Sequence, residues 1–136
     1  MSDRVLLYVE DDESAHYLLA SIIKEAGMNV KVERVSNGQA AIAFLHRGEP
    51  YQCAPRPDLI VLDLNLPGRN GLTVLAEIRQ NPRFRAIPIV IFTSSTEASD
   101  RAQSLALGAT EYITKPSTYD AFVNAVMSAC SFFSVR

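Results

Sequence analysis

The most constraining feature of the chain is the run LIVLDLNLP at residues 59–67. Four apolar residues lead directly into Asp63, and Pro67 follows four positions later and ends the run. A continuous apolar strand of this kind is typical of a parallel sheet that helices cover on both faces. A carboxylate at the end of such a strand belongs at the carboxyl edge of the sheet, where open α/β folds bind ligands. Asp63 is therefore the first candidate for a chemically active residue.

Length and composition exclude several classes of protein. The 136 residues predict one domain with a sizeable core. The formal net charge is −2 and the basic residues are scattered, so we do not expect nucleic acid as a partner. Cys53 and Cys130 lie far apart without a metal-binding spacing, which argues against a disulfide or zinc framework. No apolar run is long enough for a signal peptide or membrane span, so we expect a cytoplasmic protein.

Strand patterns and helix patterns alternate along the whole chain. Each apolar strand-like run precedes apolar residues at helical spacing, and the runs lie at 5–9, 30–35, 59–62, 87–92 and 112–114. This alternation predicts an α/β fold with a five-stranded parallel sheet, whose five helices are divided between the two faces of the sheet. We predict the flavodoxin-like (CheY-like) strand order 2-1-3-4-5. Ser117 and Asp120 resemble a capping box and predict that the last helix begins at Ser117.

This strand order brings polar side chains to one edge of the sheet. Glu10 and Asp11 follow strand 1, Asp63 follows strand 3, and Thr93 and Lys115 follow strands 4 and 5. Carboxylates so close together repel one another unless a cation joins them. Hard oxygen ligands without thiolate or imidazole favour magnesium, or manganese as a similar divalent ion, over zinc. A carboxylate can attack phosphorus to form an aspartyl phosphate, a transfer that needs mainly positioning and charge neutralisation.

Four motifs carry a resemblance to a known family. VEDD, LDLNLPGRNG, FTSS and YITKPS, in this order and spacing, resemble a bacterial response-regulator receiver domain over essentially the whole chain. The resemblance implies that Asp63 accepts a phosphoryl group from a histidine kinase. It also implies that Glu10 and Asp11 form the acidic pair, and that Asp11, Asp63 and the Asn65 backbone carbonyl bind the metal. Glu10 is a common replacement for aspartate at its position, which would leave metal binding mainly to Asp11.

The same resemblance implies a two-state switch. Thr93 would hydrogen-bond the phosphoryl group, Lys115 would pair with it, and Tyr112 would be the aromatic switch residue. Phosphorylation would draw Thr93 toward the new charge, move Tyr112 inward and alter the surface of helix 4, strand 5 and helix 5. The protein would then be a signalling phosphoacceptor and not an enzyme with a separate substrate, although it would catalyse its own phosphotransfer and dephosphorylation.

The end of the chain suggests how the protein passes its signal on, and one loop suggests which class of kinase phosphorylates it. The chain ends with the fifth helix, which predicts a single receiver domain over residues 1–136 without an output domain. Phe132 and Phe133 suggest an interface, or one of them caps the core. We expect a homodimer through helix 4, strand 5 and helix 5. The long loop before strand 3, with FTSS and TKPS, resembles the single-domain regulators of bacterial and cyanobacterial phytochrome kinases, which predicts a light-sensing kinase as the donor.

Alternatives from other classes stay open. A phosphatase with an aspartyl-phosphate intermediate would want a second acid two residues after Asp63, where this chain has Asn65. A pseudo-receiver that only binds proteins is expected to have lost an acid, the hydroxyl or the lysine, and this chain retains them all. Each of the other site residues also has a purely structural interpretation. Thr93 would cap the end of a strand, Lys115 would be an exposed side chain, and Tyr112 would be an ordinary core residue.

Overall fold

The computed structural model describes residues 3–133, in which strands and helices alternate. The strands are β1 (Arg4–Val9), β2 (Val30–Val35), β3 (Leu59–Leu62), β4 (Ile89–Thr93) and β5 (Glu111–Thr114). The helices are α1 (Glu13–Glu25), α2 (Gly38–His46), α3 (Gly71–Gln80), α4 (Ala98–Ala106) and α5 (Tyr119–Cys130), with a short 3₁₀ helix at Pro82–Phe84. Residues 1, 2 and 134–136 lie outside the described residues.

The five strands form one parallel sheet in the order β2-β1-β3-β4-β5, which confirms the predicted flavodoxin-like α/β fold. β3 lies in the centre, and its four residues are all buried, as expected for a strand with helices on both sides. β2 lies at the edge, and only Val35 of its residues is buried. The alternating pattern of residues 30–35 therefore correctly predicted a strand at the edge of the sheet.

The sheet packs against its helices through two apolar layers, one on each face. The layer on one face contains buried residues of α1 and α5. The layer on the other face contains buried residues of α2 and α3, together with Tyr112 of β5. Phe133 is buried in the first layer, and the Arg4 guanidinium lies 5.4 Å from the centre of its ring. Of the two possibilities for the terminal aromatic pair, capping of the core is thus confirmed for Phe133. No helix within residues 3–133 is both long enough and apolar enough to cross a membrane.

Several predicted boundaries differ from the structure by one or two residues, among them the starts of β4 and α5. β4 begins at Ile89, because Pro88 has no N–H with which to pair. The predicted cap of α5 at Ser117 is wrong by one residue. Thr118 is the N-cap, with an extended backbone and a hydroxyl that accepts a hydrogen bond from the Ala121 N–H at 3.3 Å. The side chain one residue further along the chain is the one that reaches a free N–H of the first turn.

Candidate functional site

Backbone pairing continues one residue beyond three of the strands and fixes the site at the carboxyl edge of the sheet. The Glu10 N–H donates to the Val35 carbonyl at 3.0 Å, and the Asp63 N–H donates to the Val9 carbonyl at 3.1 Å. The Lys115 N–H likewise donates to the carbonyl of the last β4 residue at 2.7 Å. Because side chains alternate along a strand and parallel strands run in register, Glu10, Asp63 and Lys115 emerge on the same face.

Lys115 joins the two buried acids. Its Nζ donates to Asp63 Oδ2 at 2.9 Å and also to Glu10 Oε1. Glu10 and Asp63 are only 2% and 5% exposed, although both carry carboxylates. The lysine reaches them across Phe92, whose ring centre lies 5.9 Å from Nζ. One ammonium thus bridges carboxylates from two neighbouring strands, as a buried charge requires.

The environment shifts the pKa values of this group. Burial raises the pKa of the Glu10 carboxyl above its ordinary value, although the hydrogen bond and charge of Lys115 oppose the shift. Burial alone would lower the pKa of Lys115, but its hydrogen bonds to Glu10 and Asp63 and their charges outweigh that effect and raise it. The ammonium therefore stays charged beside the two carboxylates.

Asp11 lies at the same edge but points differently. Its side chain is exposed. Arg34, near the end of β2, donates from Nε to the Glu10 carbonyl at 2.9 Å and from Nη2 to the Asp11 carbonyl at 2.7 Å. Sequence reasoning missed this contribution of Arg34. The sequence feature that could have indicated it is the position of Arg34 itself, a cation near the end of β2, the strand that pairs with β1 before the acids.

The loop after Asp63 is shaped by close backbone approach. The Asn65 N–H donates to Asp63 Oδ1 at 3.1 Å, which holds the carboxylate from the side opposite Lys115. Gly71 begins α3 so near this loop that an added Cβ would lie 2.5 Å from the Asp63 carbonyl oxygen. Asn70 caps the helix by accepting a hydrogen bond from the Leu72 N–H at 2.8 Å. The second half of the LDLNLPGRNG motif therefore positions Asp63 through the backbone.

The predicted metal ligands are not brought together as a set. Among residues 3–133, no three Asp, Glu, His or Cys side chains lie close enough to hold a metal ion. Glu10 and Asp63 face Lys115, while the Asp11 side chain is turned to solvent. The kinds of donor nevertheless fit a hard divalent cation, because carboxylate and carbonyl oxygens predominate and three acids outnumber one lysine.

Thr93, Ser95 and Tyr112 form a second group beside the acids. Thr93 is fully buried, and its Oγ1 accepts a hydrogen bond from the Ser95 N–H at 3.5 Å. The Tyr112 hydroxyl donates to the Ser95 carbonyl at 2.9 Å. The Tyr112 ring is only 5% exposed, so the structure already has the inward arrangement that we expected phosphorylation to produce. An inward movement of Tyr112 cannot start from this conformation.

Comparison with known proteins decides the family. A model of the response regulator receiver domain matches residues 6–127. The chain belongs to the receiver-domain family. Response regulator Rcp1 of Synechocystis sp. is 40% identical to this receiver domain over 112 residues, which cover 82% of this chain and 76% of the relative.

Solved structures agree with this assignment. The receiver domain superposes on the Mn²⁺-bound form of Rcp1 with a TM-score of 0.88 and 37% identity, covering 95% of this chain and 93% of the other. For the phosphorylated cyanobacterial phytochrome response regulator RcpA, the TM-score is 0.90 at 32% identity, with 97% and 94% covered. The bacteriophytochrome response regulator RtBRR gives 0.78 at 34% identity, with 98% and 82% covered. The resemblance to regulators of phytochrome signalling is thus confirmed.

Proposed function

We propose that this receiver domain accepts a phosphoryl group on Asp63 from a histidine kinase and transmits the signal through the α4, β5 and α5 surface. The observation that carries the proposal is the position of Asp63, buried at the carboxyl edge with Oδ2 on the Lys115 ammonium. A carboxylate held in place beside a fixed positive charge suits attack on a phosphoryl group.

The transfer follows from the contacts of Asp63. One carboxylate oxygen attacks the phosphorus atom and the bond between phosphorus and the histidine nitrogen breaks. The imidazole of the kinase carries a proton on its other ring nitrogen and therefore leaves in its neutral form. The Asn65 N–H orients the carboxylate through Oδ1, and Lys115 offsets charge that builds up on the phosphoryl oxygens. The same arrangement supports transfer from small phosphodonors and later hydrolysis, so the protein would catalyse its own phosphorylation and dephosphorylation.

A divalent ion is part of the proposal. Asp11, Asp63 and the Asn65 carbonyl would hold Mg²⁺ or Mn²⁺, with Glu10 in the adjoining shell, after the exposed Asp11 side chain turns inward. The ion would supply additional neutralisation of the phosphoryl oxygens. The Mn²⁺-bound structure of Rcp1 and the oxygen-rich set of donors in this chain support it.

The hydrogen bonds of Ser95 suggest how the site communicates with its surface. Ser95 donates its N–H to Thr93 Oγ1 and accepts the Tyr112 hydroxyl on its carbonyl. A phosphoryl group that recruits the Thr93 hydroxyl would fix this segment and stabilise the inward Tyr112. Phosphorylation would therefore select the arrangement described here from an equilibrium with an outward one.

The partners are proposed from relatives and from sequence. A phytochrome-type histidine kinase is supported by the similarity to RcpA, a cyanobacterial phytochrome response regulator, and to RtBRR, a bacteriophytochrome response regulator. A homodimer through α4, β5 and α5, a cytoplasmic location and output through a partner protein complete the proposal. No basic cluster in the sequence favours nucleic acid as a partner.

Labelling with a small phosphodonor tests the proposal. Wild-type protein, D63N and D12N are incubated with the donor and Mg²⁺, and intact mass is measured. Asp12 is a matched control because it is exposed and caps α1 by accepting the Ser14 N–H at 2.9 Å, a role that asparagine also fills. We expect one phosphoryl group on the wild type and D12N, and none on D63N. Labelling of D63N at the wild-type level contradicts the proposal, and an unlabelled wild type favours the pseudo-receiver.

A further inference from the structure

A small cleft lined by arginines lies at the edge of the sheet where the strands begin, opposite the edge that carries the phosphoacceptor. The end of α2, the loop before β3 and the 3₁₀ helix before β4 meet there. The cleft has a volume of about 170 Å³. Three arginines and three apolar residues define what we call the arginine cleft: Arg47, Arg56, Arg83, Leu45, Pro55 and Phe84.

The guanidinium groups of the arginine cleft are not neutralised by carboxylates of the protein. Among residues 3–133, no ion pair involves Arg47, Arg56 or Arg83. The acid nearest to Arg56 in sequence is Asp58, and its carboxylate accepts a hydrogen bond from the Val5 N–H of β1 at 2.8 Å. Three like charges around one small cleft repel one another, and an anion between them would relieve this repulsion.

Contacts within the cleft hold two of the arginines in place. Arg56 Nη1 donates to the Arg83 carbonyl at 2.8 Å, which ties the loop before β3 to the 3₁₀ helix. The Arg83 guanidinium lies 5.4 Å from the centre of the Phe84 ring, and Phe84 is itself buried. Guanidinium groups that are already positioned lose less conformational freedom when a ligand binds.

The chemistry of the cleft favours a phosphate group as the ligand. A guanidinium presents N–H groups in a planar fork that matches phosphate oxygens. A phosphate monoester carries a charge of about −1.5 to −2 at pH 7 and three strong acceptor oxygens, so it can engage more than one arginine at once. The cleft is smaller than the roughly 300–1,000 Å³ of pockets that hold drug-sized ligands, which suits a phosphate group better than a whole nucleotide.

We propose that the arginine cleft is an anion-binding site that takes a phosphate group, either as free inorganic phosphate or as the phosphate of a small monoester. Arg47 and Arg83 contact the phosphate oxygens, and Arg56 contributes the N–H groups that the Arg83 carbonyl leaves free. The long loop before β3 thus supplies one of the ligand-binding residues. The site lies at the edge opposite Asp63, so the proposal stands independently of phosphoryl transfer.

Binding is measured by two-dimensional NMR with the wild type, R47Q, R83Q and R69Q. Inorganic phosphate and adenosine monophosphate are titrated separately at constant ionic strength, and the backbone amide signals of the cleft are followed. Divalent cations are omitted, so that no metal holds phosphate at the carboxyl edge of the sheet. R69Q is the matched control, because it removes the same charge from an arginine that pairs with Glu77 at 2.8 Å, away from the cleft.

We expect saturable binding of at least one ligand to the wild type, and about tenfold weaker binding to R47Q and R83Q, as for loss of a hydrogen bond to a charged group. Both arginines are exposed, so both variants should fold, and R69Q should keep the wild-type affinity. Phosphate that binds at least as tightly as adenosine monophosphate identifies the free anion as the ligand, and the reverse order identifies a monoester.

Three results would overturn the proposal. The first is that neither ligand binds the wild type saturably. The second is wild-type affinity in R47Q or in R83Q, because the anion then binds elsewhere. The third is a loss of affinity in R69Q as large as in the cleft variants, because binding then depends only on the total charge of the protein.

Discussion

Lys115 Nζ lies 2.9 Å from Asp63 Oδ2 and also donates to Glu10 Oε1, so one cation from the end of β5 holds two buried acids from neighbouring strands. The side chain of Lys115 is itself only 18% exposed, which limits screening by water. Stability and chemistry therefore depend on the same three charges. A change to any one of these three residues is therefore expected to alter both the stability of the fold and the proposed reaction.

Removal of the Lys115 charge should destabilise the protein. K115M leaves Glu10 and Asp63 as buried carboxylates without a cation, and we expect the free energy of unfolding at neutral pH to fall by about 3 kcal/mol. Urea denaturation measures the change. K24M is the matched control, because Lys24 is exposed near the end of α1, and its stability should stay close to that of the wild type. Equal stability of K115M and K24M would show that the bridge contributes nothing.

Gly71 should tolerate no side chain. In G71A the new Cβ would lie 2.5 Å from the Asp63 carbonyl oxygen and 2.6 Å from Leu64 Cα, so the backbone beside the phosphoacceptor must move. We expect a loss of about 3 kcal/mol in the free energy of unfolding, together with slower phosphorylation. G48A is the control, because its nearest contact is the Ala43 carbonyl oxygen at 3.9 Å. A G71A protein as stable and reactive as G48A would refute the steric argument.

Loss of the Tyr112 hydroxyl should have a smaller effect. Y112F removes the hydrogen bond to the Ser95 carbonyl at 2.9 Å while the buried ring remains, and we expect a loss of about 1 kcal/mol in unfolding free energy. The ring exposed on α5 provides the comparison: Tyr119 is 55% exposed, and Y119F should be nearly neutral. The two variants are compared by urea denaturation under the same conditions. If the free energy of unfolding of Y112F equals that of the wild type, the hydrogen bond to the Ser95 carbonyl does not stabilise the protein.

His16 should make stability depend on pH. Burial, and then the positive charge of Arg34, lower its pKa below the ordinary 6.5, against the opposing charge of Glu13. The fold therefore favours the neutral imidazole, so the contribution of His16 is fully present above pH 6.5 and is lost as pH falls through the lowered value.

The variant H16Q measures this dependence. We expect the stability of the wild type relative to H16Q to decrease between about pH 8 and about pH 5, the range in which histidine titrates. Urea denaturation at several pH values across that range gives the difference. A difference that stays constant or increases as pH falls would contradict the assigned direction of the pKa shift.

Most of the fold was predictable because its signals are local. The apolar run before Asp63 indicated a strand buried on both faces, and the alternation of residues 30–35 indicated an edge strand. Turn chemistry and helical spacing marked the helices between them. The errors lie at boundaries, such as the cap of α5, where Thr118 and not the adjacent Ser117 accepts a hydrogen bond from the first turn.

The site was predictable as a set of residues but not as a geometry. Strand order alone brings Glu10, Asp63 and Lys115 to one edge, whereas the bridge that Lys115 makes depends on side-chain conformation. The contacts of Arg34 with the Glu10 and Asp11 carbonyls have only a weak local signature, a cation near the end of an alternating strand. They arise from register between strands, which a pattern of residue types in one strand does not encode.

The site of phosphorylation is the most direct test of the central claim. The wild-type protein is phosphorylated with a small phosphodonor and Mg²⁺, digested under mildly acidic conditions that preserve acyl phosphates, and its peptides are sequenced by mass spectrometry. We predict that the phosphoryl group lies on Asp63, within the peptide that contains LDLNLP. A phosphoryl group on Glu10, Asp11 or any residue other than Asp63 would contradict the account.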